Sequence, residues 1–338
     1  MRIALDAMGG DHAPKPIVIG AIAALAEFPD IEVILVGDQA QVEACIPADT
    51  SRDRLSIHHC TQVIGMHDSP VDGLRKKPDN SISRSWQLLA EGEVDAVVSA
   101  GNTGAMVAGG LRLRKFLPLV ERPGIATLMP TAKGVALLLD VGANVHPKPL
   151  HLLQYGVMGS VFAKNILKIE NPRIGLMNVG AEESKGNNLT KSTHQLFSNS
   201  PFQDQFVGNV EGRDIHRGVC DVIVTDGFVG NVVLKLCEGV FEFIMKMVAK
   251  EIVEPLQNDQ LQASQALQNL VSRYDYRNFG GAPLLGIEGI CIICHGSSDE
   301  RAIKNALGVA AKYARECLNS KITAELARLS SVTELNTA

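Results

Sequence analysis

Lys185 sits in a run of small, acidic and amide residues, Asn178-Val-Gly-Ala-Glu-Glu-Ser-Lys-Gly186, directly after a short apolar stretch. A single ammonium among glycines, whose backbone amides can come close to a ligand, suits an oxyanion such as phosphate. The same arrangement recurs: Asp6 with Gly9, Gly10 and Asp11; Asn102, Thr103 and Gly104; Asp140-Val-Gly-Ala-Asn144; Asp226 and Gly227 with Asn231. Each stretch follows an apolar run and opens a helical pattern. Each therefore predicts unpaired N–H groups at a helix start, with the helix dipole behind them. For one loop alone the simpler reading is a tight turn and a cap. Repeated at successive strand ends, the loops predict one polar anion pocket. Lys185, Asn178, Asn231 and His295 are the candidates for chemistry. Asp6, Gly9, Gly10, Asp11, Asn102, Thr103, Gly104, Asn144, Gly180, Glu183, Gly186, Asp226 and Gly227 are the candidates for holding phosphate and substrate. His295 precedes Gly-Ser-Ser at a helix start and reads equally as a cap or a proton donor. His12 and His146 occupy similar loops and read as peripheral.

Rival chemistries find less support. No Gly-x-Gly-x-x-Gly follows the first strand and no Gly-Lys-Ser/Thr loop occurs, which argues against dinucleotide and P-loop binding. Ser99 lies in Val-Ser-Ala-Gly, outside a nucleophile elbow. Cys291-Ile-Ile-Cys294 has the spacing of half a zinc site, yet positions three apart in a strand face opposite ways, so no metal and no cofactor are expected.

The elements that must position these residues alternate. Strands are expected at Ile3–Asp6, Ile31–Gly37, Leu55–Ile57, Ala96–Ser99, Ile125–Met129, Gly134–Leu139, Arg173–Met177, near Phe206, at Val222 and over Gly289–Cys294. Helices are expected between them, the most prominent over 17–28, 150–167 and 300–317. In the chain from Val222 the strand breaks at Asp226-Gly227 and Gly230-Asn231, and helical spacing resumes at Val232. Residues 64–83 read as a polar, basic surface loop. Apolar stripes at Val240, Phe241, Ile244, Met247, Val248 and Ile252, then Leu267, Leu270, Val271 and Tyr274, predict a helical hairpin over 238–276 with a polar tip at 257–260. From about Ser330 the chain reads as a frayed tail. The fold class expected is three-layer α/β with a mostly parallel sheet, as one domain over 1–338. Ligands of such sheets bind at the strand-end loops.

With 338 residues, 46% apolar and 20% charged, the chain can bury a large core. One Trp, four Tyr and a net charge of −5 give no footprint for nucleic acid. Seven scattered cysteines favour reduced thiols in a cytoplasm. There is no signal-peptide pattern at the start, and no apolar run approaches the ~18 residues of a membrane span.

Leu5-Asp-Ala-Met-Gly-Gly-Asp11, Val98-Ser-Ala-Gly-Asn-Thr-Gly-Ala105, Leu139-Asp-Val-Gly-Ala-Asn144, Asn178 to Gly186, Thr225-Asp-Gly-Phe-Val-Gly-Asn231, Gly281-Ala-Pro-Leu-Leu-Gly286 and His295-Gly296 occur in that order over nearly the whole chain. Together they resemble the bacterial phosphate acyltransferases of phospholipid synthesis. The chain departs from the family after Asn144, where His146-Pro147 replaces an acidic, Cys-containing turn. The resemblance implies a fold similar to isocitrate/isopropylmalate dehydrogenases and phosphotransacetylases. It implies transfer of a long-chain acyl group from acyl carrier protein to inorganic phosphate, with the acyl phosphate passing to a membrane-bound glycerol-3-phosphate acyltransferase. It also implies a homodimer made through the hairpin, peripheral at the inner face of the cell membrane, although the polar tip argues against firm attachment. An acidic carrier needs a basic dock, for which Arg75, Lys76, Lys77, Arg112, Arg114 and Lys115 are the candidates. A phosphotransacetylase-like enzyme using acyl-CoA and a non-catalytic lipid-synthesis scaffold are the alternatives.

Overall fold

A computed structural model describes residues 1–256, 259–273 and 280–335. In chain order the elements are β1 (Arg2–Asp6), α1 (Lys15–Glu27), β2 (Glu32–Gly37), α2 (Gln39–Glu43), β3 (Leu55–His59), α3 (Pro70–Lys76), α4 (Ser81–Ala90), β4 (Ala96–Ser99) and α5 (Thr103–Leu113). They continue with β5 (Gly124–Thr131), β6 (Gly134–Leu139), α6 (Pro149–Asn165), β7 (Ile174–Met177), α7 (Asn188–Ser198), β8 (Phe206–Val210), β9 (Val222–Val224) and α8 (Gly227–Val248). Last come α9 (Gln260–Arg273), β10 (Ala282–Leu285), β11 (Ile290–Ile293), α10 (Glu300–Arg315) and α11 (Leu318–Leu335).

The described strands form one sheet in the order β3-β2-β1-β4-β11-β10-β5-β6-β9-β7-β8. Runs such as Glu32-Val-Ile-Leu-Val-Gly37 and Val222-Ile-Val224 have few polar residues because both sheet faces are covered. One core, around Leu5, Leu35, Phe162, Ile303 and Leu307, lies under α1, α6, α10 and α11. The other, around Val36, Trp86, Met106, Leu138 and Ile223, lies under α4 and α5. β1, β2, β3, β4 and β11 run parallel. β10 is antiparallel to both β11 and β5, and β5 is antiparallel to β6. β6, β9, β7 and β8 are again mutually parallel, in the sense opposite to β1. That reversal separates the strand-end loops into two groups.

Several local expectations change. Helix α8 starts at Gly227 and runs through the Gly230-Asn231 break. Glycine is required there because a β-carbon on Gly230 would collide with the Asp140 carbonyl oxygen. Part of the basic loop, Pro70–Lys76, is helical, with proline in its first turn. β10 was unrecognised because Pro283 in an inner strand argues against strand. The tail is helical to Leu335, while 336–338 lie outside the described residues. Helix α9 packs on the π-helical turn Ala249–Val253 that ends α8. Of the expected hairpin, Gln257 and Asn258 at the tip and Tyr274 lie outside the described residues, as does 277–279 of the following loop.

Candidate functional site

β6, β9 and β7 are adjacent, with Leu139 in register with Val224 and Val224 with Leu176. Strands lie about 4.8 Å apart, so the loops beginning at Asp140, Thr225 and Asn178 leave the sheet side by side. Here the structure brings together Asn144, Asn178, Gly180, Lys185, Gly186, Asp226, Gly227 and Asn231. Asp140, fully buried, organises this exit. Its Oδ1 accepts from the amides of Ile125 (3.0 Å), Gly142 (3.1 Å) and Ala143 (3.0 Å), and its Oδ2 from that of Asn144 (2.7 Å). Burial pushes the Asp140 carboxyl up, and these four N–H donors pull it back. Asn144 donates to the carbonyl of Pro123 (2.6 Å) and to the buried Tyr155 hydroxyl (2.8 Å). Its carboxamide holds the fold and has no donor left for a substrate.

The start of α8 differs from the expected open anion site. Asp226 Oδ1 accepts from the Phe228 and Val229 amides, both at 2.9 Å. The Gly227 amide donates to the Asn144 carbonyl at 2.8 Å, and the Gly230 amide to that of Asp226. The orphan donors of this helix are thus spent within the chain. Asn102 likewise caps α5 through the Ala105 amide (3.0 Å), and its Nδ2 faces the carbonyls of Gly65, Met66 and Asp68 at 3.0–3.3 Å. A carboxamide engaged in that way is no oxyanion donor. These helix-start donors are therefore not open to an anion.

Lys185 and Asn231 stand apart from these. Both are exposed, and the side chain of neither makes a hydrogen bond or ion pair with the described residues. Asn178 donates to the Lys185 carbonyl (3.2 Å) and receives the Val179 amide, folding the loop back on itself. Gly180 lies under the Lys185 stem. Glu183 is exposed on the same loop.

The second group sits at the ends of β1, β4 and β11, where Ser99 is in register with Ile293. It contains Asp6, Gly9, Gly10, Asp11, Asn102, Thr103, Gly104 and His295. Asp6 is buried, accepts from Ser99 Oγ at 2.6 Å, and is pushed up by desolvation. Ser99 also accepts from the Gly101 amide (3.0 Å). The Asp11 amide donates to the Gly296 carbonyl at 2.8 Å, tying the first loop to the His295 loop. His295 Nδ1 lies 2.8 Å from Ser297 Oγ and receives the Ser297 amide at 3.3 Å. Thr103 and Gly104 are exposed on the first turn of α5. Asp6 bonds to Ser99 within this group, while Asn102 also reaches the 65–68 loop; Asp226 bonds within its own helix start, while Asn144 also reaches Pro123 and Tyr155. The strand-end loops thus form two groups, one at the β6, β9 and β7 exits and one at the β1, β4 and β11 exits. Asp140, Ser99 and Tyr155 are the structural members that the sequence reading left out of the site. An aspartate recurring at strand ends, at Asp6, Asp140 and Asp226, was the available signal for Asp140.

Of the basic residues, Lys77 is spent on Asp68 (2.6 Å) and the Val63 carbonyl (2.8 Å), and Arg75 pairs with Asp72 at 2.8 Å. Lys76, Arg112, Arg114 and Lys115 are exposed. Helix α3 packs on α5, so both basic stretches border one helix. Cys291 and Cys294 belong to different cores on opposite sheet faces, and burial pushes the Cys294 thiol up to about 12.

A family described as fatty acid synthesis protein matches residues 1–321. The chain belongs to the fatty acid synthesis protein family. Within that family it is 45% identical over 329 residues to a phosphate acyltransferase of Geobacter sulfurreducens, covering 96% of this chain and 94% of the relative. It is 46% identical over 341 residues to one of Desulfitobacterium hafniense, covering 99% and 100%. Among solved structures it resembles a phosphotransacetylase from Streptococcus pyogenes, with TM-score 0.62, 16% identity and 94% of each chain covered. It also resembles a branched-chain phosphotransacylase from Enterococcus faecalis, with TM-score 0.53, 14% identity and coverage of 93% and 99%. These likenesses show that the family member has the mostly parallel α/β fold expected. No described helix is long and apolar enough to cross a membrane.

Proposed function

We propose that this chain moves a long-chain fatty acyl group from the thiol of acyl carrier protein to inorganic phosphate, giving acyl phosphate for phospholipid synthesis. The family, and relatives named phosphate acyltransferase, support the reaction class. The observation that carries the site is Lys185, an ammonium without a partner among the described residues, on a glycine-bearing loop beside the capped start of α8. A phosphate oxygen attacks the thioester carbonyl carbon, the C–O bond forms as the C–S bond breaks, and the thiolate leaves to take up a proton. Phosphate is already anionic near neutral pH, so the protein's task is mainly to hold it against the carbonyl. Lys185 pairs with the phosphate, and the Asn231 carboxamide donates to the oxygen that gains charge. One such donor is typically worth about 3–4 kcal/mol. Asn178 shapes the Lys185 loop. We assign the second group, with His295, to the thiol-leaving side.

Lys76, Arg112, Arg114 and Lys115 are assigned to the acidic carrier protein. The distal part of α8, with Phe243 62% exposed beside Ile244 and Met247, is assigned to a second copy of the chain. The consumer of acyl phosphate is a membrane glycerol-3-phosphate acyltransferase, which the enzyme meets from the cytoplasm at the inner membrane face. The test is to mix purified protein, palmitoyl-carrier protein and phosphate, and trap acyl phosphate with hydroxylamine. Phosphate-dependent hydroxamate is the expected result. If palmitoyl-coenzyme A supports the reaction and the carrier-protein donor does not, the donor assignment falls. If neither donor reacts, the function falls.

A further inference from the structure

Gly239 lies near the middle of the long helix α8. A β-carbon built on it meets no atom within 4 Å, so nothing in the chain's own packing excludes a side chain there. A mid-helix glycine is less stable than alanine, and its remaining use is to let something approach the backbone closely. At 3.6 residues per turn, Phe228, Val232, Leu236 and Gly239 fall on one arc of the helix. Phe228 is 61%, Val232 51% and Leu236 63% exposed. Beside the arc, Lys235 and Glu238 pair with each other at 2.7 Å, so neither charge is left uncompensated against it. The arc begins at the Asp226 cap and Asn231, where the acyl carbon would react. From Phe228 to Gly239 it extends ~17 Å at the α-helical rise. One leaflet of a ~30 Å hydrocarbon core, about 15 Å deep, is the depth of one long acyl chain.

We propose that this arc is the acyl-chain subsite, and that Gly239 is the flat point where the end of a long chain lies against the helix. The inference rests on the acyl-transfer reading and adds to it a chain-length determinant. Short donors would use Phe228 and Val232, and only long ones would reach Leu236 and Gly239. Each methylene laid on apolar surface strengthens binding up to roughly fourfold, so preference should rise with length until Gly239 is reached.

The test compares kcat/KM for palmitoyl- and octanoyl-carrier protein in the wild type, Gly239→Phe, Gly239→Ala and Leu236→Asn, with the mass of each variant measured in solution. Gly239→Phe and Leu236→Asn should each lower the palmitoyl-to-octanoyl ratio by roughly tenfold, with octanoyl turnover and mass unchanged. Gly239→Ala, too small to block the arc, should keep the ratio and raise the thermal midpoint, which separates bulk from misfolding. An active wild type whose ratio is unchanged in both blocking variants overturns this inference alone. So does a loss of mass with an unchanged ratio, because the notch would then belong to a second copy. A wild type inert toward every donor removes the acyl-transfer reading and this inference with it.

Discussion

At the residue scale, Lys185 at the β7 exit and Asp140 at the β6 exit have opposite roles. Lys185 is exposed and its side chain has no partner among the described residues, so its removal should cost function and little stability. Lys185→Ala is expected to cut turnover by about 10²–10³-fold with an unchanged urea midpoint. A rate near wild type would remove it from the mechanism. Asp140 is buried under four backbone amides, so Asp140→Ala would orphan them and cost roughly 2–4 kcal/mol of stability, read by urea denaturation. For a carboxyl raised in the folded state, as Asp140 and Asp6 are, the favourable contribution is present below the unfolded value of 3.8. It is lost as pH rises through the folded pKa.

At the element scale, loops that look alike in sequence are distinguished by what their caps have already satisfied. Asn102 caps α5 and also anchors 65–68, and Asp226 caps α8. Asp79 is the clearest pH-sensitive tether. It holds the Thr61 amide (2.9 Å) and hydroxyl (2.6 Å) and pairs with Arg84 (2.8 Å). The Thr61 and Arg84 hydrogen bonds hold its carboxyl at about 2. A lowered carboxyl contributes stability that is present above the unfolded value and lost as pH falls through the folded one. Amide exchange at Thr61 should therefore gain protection relative to Asp79→Asn above pH 3.8, and lose that advantage as pH falls to about 2. Equal exchange in both proteins across that range would show that the tether does not hold the loop.

At the scale of the whole molecule, surface charge and exposed apolar area carry the association predictions. The chain's net charge is −5, so an acidic carrier needs a local basic surface. Reversing Arg114 and Lys115 to Glu should raise KM for the carrier-protein donor several-fold at low salt, with less effect at high salt, and leave kcat near wild type. An unchanged KM would remove that surface as the dock. Phe243→Asp should convert a dimer to monomer in sedimentation. A mass unaffected by the substitution would move the interface elsewhere.

The sequence by itself determined the order of most strands and helices, because short continuous apolar runs such as Val222–Val224 and amphipathic runs such as that in α10 are local signals. It also marked nearly every loop that now surrounds the candidate site. It overlooked β10, since Pro283 obscures a strand whose pairing comes from residues far away in the chain. It could not assign the donors at the helix starts, because the Asn144 carbonyl that takes the Gly227 amide comes from another strand exit. Nor could it divide the loops into two groups: strand direction is fixed by the antiparallel β10, β5 and β6 pairings, and no residue type encodes it. Lys185 and Asn231 were legible as candidates beside Asn102 and Asn144, but which polar groups remain free for a substrate is decided by long-range hydrogen bonding, so only the tertiary structure separated the first pair, without side-chain partners among the described residues, from the second, which the fold engages.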